Sequence, residues 1–142
     1  MNAEFLVAVH ALAFLNHKQS CVSSEELAKN ICTNPARVRK VMLKLKNAGL
    51  VETVSGSLGG YSFTKKAERV SLKDILRATG GTVSDIEWKS GNEDADCLIS
   101  SGMGKVMDDV IENINLGAEK YLAGITILDV DKKLKYLKKN KS

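Results

Sequence analysis

Five basic side chains, Arg37, Arg39, Lys40, Lys44 and Lys46, lie in one short segment with no acid among them. Guanidinium and ammonium groups at this density bind phosphate oxygens through charge-assisted hydrogen bonds. At helical spacing Val38, Val41, Met42 and Leu45 share one side of the segment. Ala36, Lys40, Leu43, Lys44 and Asn47 share the other, with Arg37 and Arg39 on the flanks. Such a helix can bury its apolar side and offer its basic side to a polyanion. A solvated outer face is the plainer use of the pattern, but charge of one sign favours the phosphate-facing use. A second candidate follows at Ser55-Gly56-Ser57-Leu58-Gly59-Gly60-Tyr61-Ser62-Phe63. Its glycines permit a tight turn and let backbone N–H groups approach a phosphate.

The other reactive side chains are scattered. Cys21, Cys32 and Cys97 form no C-x-x-C pair, and their odd number argues against a disulfide framework. Cys32 precedes Asn34-Pro35 near a helix N-terminus, which would favour a thiolate; it serves equally as a small buried residue. Cys97 has Asp94 and Asp96 beside it, which are expected to raise its thiol. Both are weak candidates for a redox sensor. His10 and His17 have no acid or thiol at ligand spacing, so no metal site is expected. No Ser/His/Asp order, no Gly-x-x-x-x-Gly-Lys loop and no paired carboxylates within a plausible cleft occur, so no enzyme is expected.

The elements that must hold the basic segment can be read along the chain. Residues 3–17 form an apolar helix through Phe5, Leu6, Val9, Leu12, Ala13 and Leu15. Ser23 or Ser24 caps a short second helix, with Glu25 and Glu26 at its positive end. After a turn at Asn30–Thr33, Asn34 caps and Pro35 opens the third helix, which carries the basic face and stops near Gly49. Residues 50–54 and 60–64 are the strands of a hairpin. Ser71 and Asp74 make a capping box for a fourth helix at 72–79. A helix, a glycine stop and a glycine-rich hairpin make a winged helix-turn-helix.

Beyond an acidic loop, residues 99–123 form the longest helical pattern. Met103, Met107, Val110, Ile114, Gly117 and Tyr121 recur along one stripe. A small winged domain has little core left to cover so long a helix, so the stripe is expected to be a dimer seam. The expected fold class is mainly α with a small β-hairpin wing and a long dimerisation helix. Its parts are a winged domain at 1–80, an acidic linker at 81–98, a dimerisation helix with a short C-terminal segment at 99–130, and a disordered basic tail at 131–142.

Charge follows the same division. The chain of 142 residues has a formal net charge of +4, divided as +6 over residues 1–80, −7 over 81–130 and +5 over 131–142. A basic front and an acidic rear suit a molecule that offers one face to a polyanion. No apolar run approaches the roughly 20 residues needed to span a bilayer. The segment from Phe5 to Leu15 lacks a basic start and a cleavage site, so no signal peptide is read and the cytoplasm is the expected location.

The string Ala48-Gly49-Leu50-Val51, then Gly56-Ser57-Leu58-Gly59-Gly60-Tyr61-Ser62-Phe63, then Val70-Ser71-Leu72-Lys73-Asp74-Ile75 with Ala78 and Gly80, resembles the Rrf-type family of bacterial transcriptional regulators. The resemblance covers nearly the whole chain in order. It implies a cytoplasmic homodimer on a two-fold symmetric site in double-stranded DNA, with the third helix in a major groove and the Ser57–Ser62 wing on the backbone or minor groove. Cluster-binding members carry three closely spaced cysteines in the loop before the long helix, where this chain has Cys97 alone. One thiolate is too few for an iron–sulfur cluster, so a cluster-free member without a cofactor is expected.

The candidate DNA-binding residues are therefore Asn34, Arg37, Arg39, Lys40, Lys44, Ser57, Gly59, Gly60, Tyr61 and Ser62. The expected partners are DNA, a second copy of the chain, and an unidentified effector or partner protein. The alternative is a winged-helix protein-interaction module without sequence-specific DNA binding. Gly60→Val is expected to impair DNA binding more than it lowers the melting temperature.

Overall fold

The structure is a computed structural model and describes residues 1–84 and 86–141. Asp85 of the acidic linker and Ser142 of the tail lie outside the described residues. The elements run α1 (Ala3–Lys18), α2 (Ser24–Ile31), α3 (Pro35–Asn47), β1 (Val51–Val54), β2 (Gly60–Phe63), a 3₁₀ turn (Ala67–Arg69), α4 (Leu72–Thr79), α5 (Leu98–Ala123) and α6 (Ile127–Lys139).

Helix starts follow the caps that the sequence supplies. The side chains of Asn2, Ser23 and Asn34 accept from the N–H groups of Phe5, Glu26 and Arg37, and Pro35 occupies the first turn of α3. Ser71 with Asp74 and Thr126 with Asp129 close reciprocal capping boxes on α4 and α6. The turn from α2 into α3 is made without glycine: Cys32 itself takes the left-handed conformation, φ 64°.

The core forms where α1, α2, α3 and α4 meet. Leu12, Leu15, Leu27, Val38, Val41, Met42, Leu45 and Ile75 are each at most 1% exposed. β1 and β2 pair antiparallel with Val51 opposite Phe63 and Val54 opposite Gly60. Val22 adds a third, short edge by exchanging backbone hydrogen bonds of 2.9 and 2.8 Å with Tyr61. The wing is thereby clipped to the segment that leads into α2.

The C-terminal region returns to this core, which the sequence reading does not anticipate. Ile127 N–H donates to the Val70 carbonyl at 2.9 Å, and Leu72 N–H donates to the Ile125 carbonyl at 2.8 Å. Ile127 is fully buried by this return. α6 then packs along α1 and extends to Lys139. The disordered tail expected at 131–142 is thus corrected over most of its length. Its lysines obscure a cap at Thr126 and apolar residues at Val130 and Leu134 that face α1.

α5 is built differently. It is 26 residues long and buries only Leu122. Ser84 N–H donates to Asn115 Oδ1 at 2.8 Å, and Arg77 pairs with Glu119 at 3.5 Å, so its C-terminal half is tied to α4 and the linker. Its stripe faces away from the chain: Val110 is 42% and Ile114 52% exposed.

Candidate nucleic-acid interface

α3 places its two faces as its spacing requires. Val38, Val41, Met42 and Leu45 are buried, while Ala36, Arg37, Arg39, Lys40, Leu43, Lys46 and Asn47 are exposed. The burial of four apolar anchors fixes the helix as a rigid platform, so its outer side chains share a defined surface.

That surface is less freely basic than its composition. Glu4, in the first turn of α1, pairs with Lys40 at 3.1 Å and also with Lys44. The hydrogen bond from Lys44 holds the Glu4 carboxyl below the ordinary carboxylate range; partial burial opposes this and Lys40 reinforces it. Arg39 lies 3.9 Å from Glu25 and donates to Ser24 Oγ at 3.4 Å. Among the described residues Arg37 and Lys46 take part in no salt bridge. Three of the four basic residues proposed from sequence therefore stand on the surface already engaged by acids of α1 and α2. The sequence reading missed Glu4, because nothing in a linear pattern shows that the N-terminus of α1 crosses α3. Asn34 is committed as well, its Oδ1 accepting from Arg37 N–H at 2.8 Å.

The wing is uncharged from Thr53 to Thr64. Any phosphate contact from it must come from backbone N–H groups and from the hydroxyls of Thr53, Ser55, Ser57, Tyr61, Ser62 and Thr64. Leu58, at the tip, is 91% exposed. Tyr61 is half-buried against the core, and burial pushes its phenol upward. The glycine requirement has an internal cause. A Cβ on Gly60, φ 155°, would fall 2.2 Å from the Val22 carbonyl oxygen, and one on Gly59 would fall 2.3 Å from that of Val54. Gly60 is thus demanded by the hairpin and its bridge to Val22. Gly60→Val therefore carries a structural cost inside the chain in addition to any effect on DNA binding.

Of the dimer candidates on α5, Met103, Met107, Val110, Ile114 and Tyr121 are all exposed, at 37% to 71%. A Cβ on Gly117 would meet nothing within 4 Å, so that position is open to a close neighbour.

A family model, Rrf2, described as an iron-dependent transcriptional regulator, matches residues 1–133. The chain belongs to the Rrf2 family. It is similar to YwnA of Bacillus subtilis (strain 168), 26% identical over 130 residues that cover 92% of this chain and 96% of that protein. It is 33% identical over 70 residues to the HTH-type transcriptional regulator IscR of Cereibacter sphaeroides, a match covering 49% of this chain and 45% of that one. A solved structure from Lactobacillus plantarum superposes with a TM-score of 0.83 at 27% identity, covering 95% of this chain and 91% of that one. The structure of CymR, the global cysteine regulator of B. subtilis, has a TM-score of 0.70 at 19% identity, with 94% and 96% covered, and shares the fold. As an Rrf2 protein the chain is a winged-helix transcriptional regulator.

The iron in the family description needs donors that these residues do not provide. Cys97 is the N-cap of α5 and is exposed, while Cys21 lies between α1 and α2 and Cys32 ends α2. Among the described residues no three His, Cys, Asp or Glu side chains are grouped to hold a metal. The acids nearest in sequence to Cys97 are hard oxygen donors, poorly matched to a sulfide cluster. This donor set does not fit an iron–sulfur cluster. Cys97 also corrects an expectation. N–H groups of Ser100 and then Ile99, at the start of α5, hold its thiol below the ordinary value, where Asp94 and Asp96 were expected to raise it.

Proposed function

We infer that this chain is a cytoplasmic, homodimeric, sequence-specific DNA-binding regulator that represses transcription by occupying a two-fold symmetric operator. The observation that carries the reading is the pairing of two surfaces on one chain. α3 offers a rigid basic face beside the wing, and α5 offers an uncovered apolar stripe. Two copies joined through α5 would present two α3 helices, each to one half-site, about one helical turn of DNA apart or a multiple of it. Arg37, Arg39, Lys40 and Lys44 would meet phosphates and base edges, and Ser57, Ser62 and the backbone of the wing the neighbouring strand. The residues present support DNA occupancy without an iron–sulfur cluster and without catalysis.

The test is selection of genomic fragments by the purified protein, followed by sedimentation with and without the selected site. A palindromic consensus bound by a dimer is the expected result. DNA affinity with no sequence preference would replace this reading with a protein-interaction module. Protein purified without oxygen is expected to be colourless, to contain no stoichiometric iron or sulfide, and to shift the selected site. A brown, iron-bearing preparation whose affinity falls on cluster loss would mean that ligands come from the partner subunit.

A further inference from the structure

The wing carries an apolar group at its tip and charge at its root. Gly59 N–H donates to the Gly56 carbonyl at 3.0 Å, which closes a turn with Ser57 and Leu58 at its centre. Leu58 stands at that apex almost wholly exposed, and Val54, at the end of β1, is exposed as well. Turn centres favour glycine and small polar residues. A leucine there buries little within its own chain, so the fold has no use for it. Its position is nonetheless defined. Tyr61 and Val22 exchange backbone hydrogen bonds, and Gly59 and Gly60 pack closely on the Val54 and Val22 carbonyls, which sets the path of the chain out of the turn.

At the root, Lys46 of α3 and Lys65 after β2 line one recess with Thr53, Thr64 and a single acid, Glu52. Among the described residues neither lysine takes part in a salt bridge. Between these lysines and the apex the wing has no charge.

This order of groups matches a cross-section of the DNA minor groove. Phosphates rim the groove, and uncharged base edges form its floor. It is roughly 6 Å wide and 7.5 Å deep, too narrow for a two-stranded ribbon and wide enough for one leucine side chain. Lysines at the root can meet the rim while the apolar apex reaches the floor. An apolar pocket on a protein would accept the apex but would give the lysines no partner.

Resting on the DNA-binding reading above, we propose that Leu58 is a specificity-determining side chain, an apolar wedge that enters the minor groove beside the α3 half-site and partly unstacks a base step there. Apolar side chains inserted in this way favour steps that are easily unstacked, and pyrimidine–purine steps such as TA and CA are the most easily deformed. The wing thus reads deformability, where a charged wing tip would read phosphate.

The test uses the full chain, with Leu58→Ser, Leu58→Met and Lys65→Ala. Each alters an exposed position, and circular dichroism checks that the variants fold. Selection of genomic fragments by the wild type should yield a TA or CA step outside the bases met by α3, and the same selection by Leu58→Ser should lose it. Leu58→Ser should bind the selected operator about tenfold more weakly, with affinity for random DNA and the salt slope both unchanged. Leu58→Met should restore most of the affinity. Lys65→Ala should weaken all sequences alike and lower the slope by about 1. With 2-aminopurine at the selected step, fluorescence should rise on binding of the wild type and stay flat with Leu58→Ser. A selected operator that Leu58→Ser binds as tightly as the wild type overturns the wedge and leaves the DNA reading standing. So does flat 2-aminopurine fluorescence with the wild type, or a Leu58→Ser loss shared equally by random DNA. A Leu58→Ser chain that sediments differently without DNA also overturns it, since the apex would then belong to a protein interface. A wild type with no sequence preference overturns the DNA reading itself, and the wedge with it.

Discussion

α3 and α5 are both amphipathic helices, yet the chain treats them in opposite ways. Every apolar anchor of α3 is fully buried by α1, α2, α4 and the wing, so its exposed side is purely an outer face. α5 is twice as long, 26 residues against 13, and leaves its apolar stripe uncovered. The difference teaches that an apolar period states a demand for burial without naming what meets it. In α3 the chain meets its own demand; in α5 the demand is left unmet within the chain.

The largest effect should come from breaking the satisfied helix. Leu45→Ala removes a fully buried side chain and is expected to cost about 2–5 kcal/mol of stability. Thermal or urea unfolding reads this directly. Leu43→Ala, on the exposed side of the same helix, should cost less than about 0.5 kcal/mol. Similar losses for the two would deny α3 its two faces.

The unsatisfied helix should respond in the reverse sense. Val110→Glu lies on an exposed stripe and is expected to leave the melting temperature of the winged domain in place. It should raise the dimer dissociation constant by roughly a hundredfold, because the seam would bury a charge. Sedimentation of the wild type as a monomer at micromolar concentration would remove the seam.

The wing sharpens the comparison at single glycines. Gly60→Ala must displace the Val22 backbone and is expected to lower the melting temperature by several degrees, with a loss on the order of 1–3 kcal/mol. At Gly56, φ 104°, a Cβ would meet nothing within 4 Å, so Gly56→Ala carries only the backbone strain, roughly 1 kcal/mol. A Gly60→Ala protein that melts normally but fails on DNA would restore a DNA-facing role to that glycine.

The smallest effect concerns the grip of α1 on α3. Glu4→Gln releases Lys40 and Lys44, so affinity for all DNA sequences should rise a few-fold and the salt slope steepen by roughly 1. The carboxyl of Glu4 is held below its ordinary range in the folded chain. Its stabilising contribution is complete above the ordinary carboxylate range and is lost as pH falls through the lowered value. The stability difference between wild type and Glu4→Gln should accordingly shrink as the solution is acidified. An unchanged salt slope would show that the two lysines do not reach DNA.

Local chemistry made much of this legible in the sequence. Asn34-Pro35, Ser23 and the Ser71–Asp74 box each start a helix where their side chains can accept from the first free N–H groups, and the structure starts helices there. The period of Val38, Val41, Met42 and Leu45 named the buried side of α3 because a helix repeats every 3.6 residues. α1 was less legible. Leu6, Val9 and Ala13 belong to the same apolar run as Leu12 and Leu15, yet they face α6. A helix that is apolar nearly all round does not declare which side meets which neighbour.

What the sequence determined by itself was therefore local: where helices begin, which side of α3 is wet, that the hairpin turns on glycine, and that charge is segregated along the chain. Tertiary structure decided what lies across from what. It set Glu4 against Lys40 and Lys44, set Gly60 against the Val22 carbonyl, brought Ile127 back into the core and laid α6 along α1. The physical reason is range. Caps and periods act over three or four residues of one chain segment, whereas these contacts join residues brought together only when the core has closed.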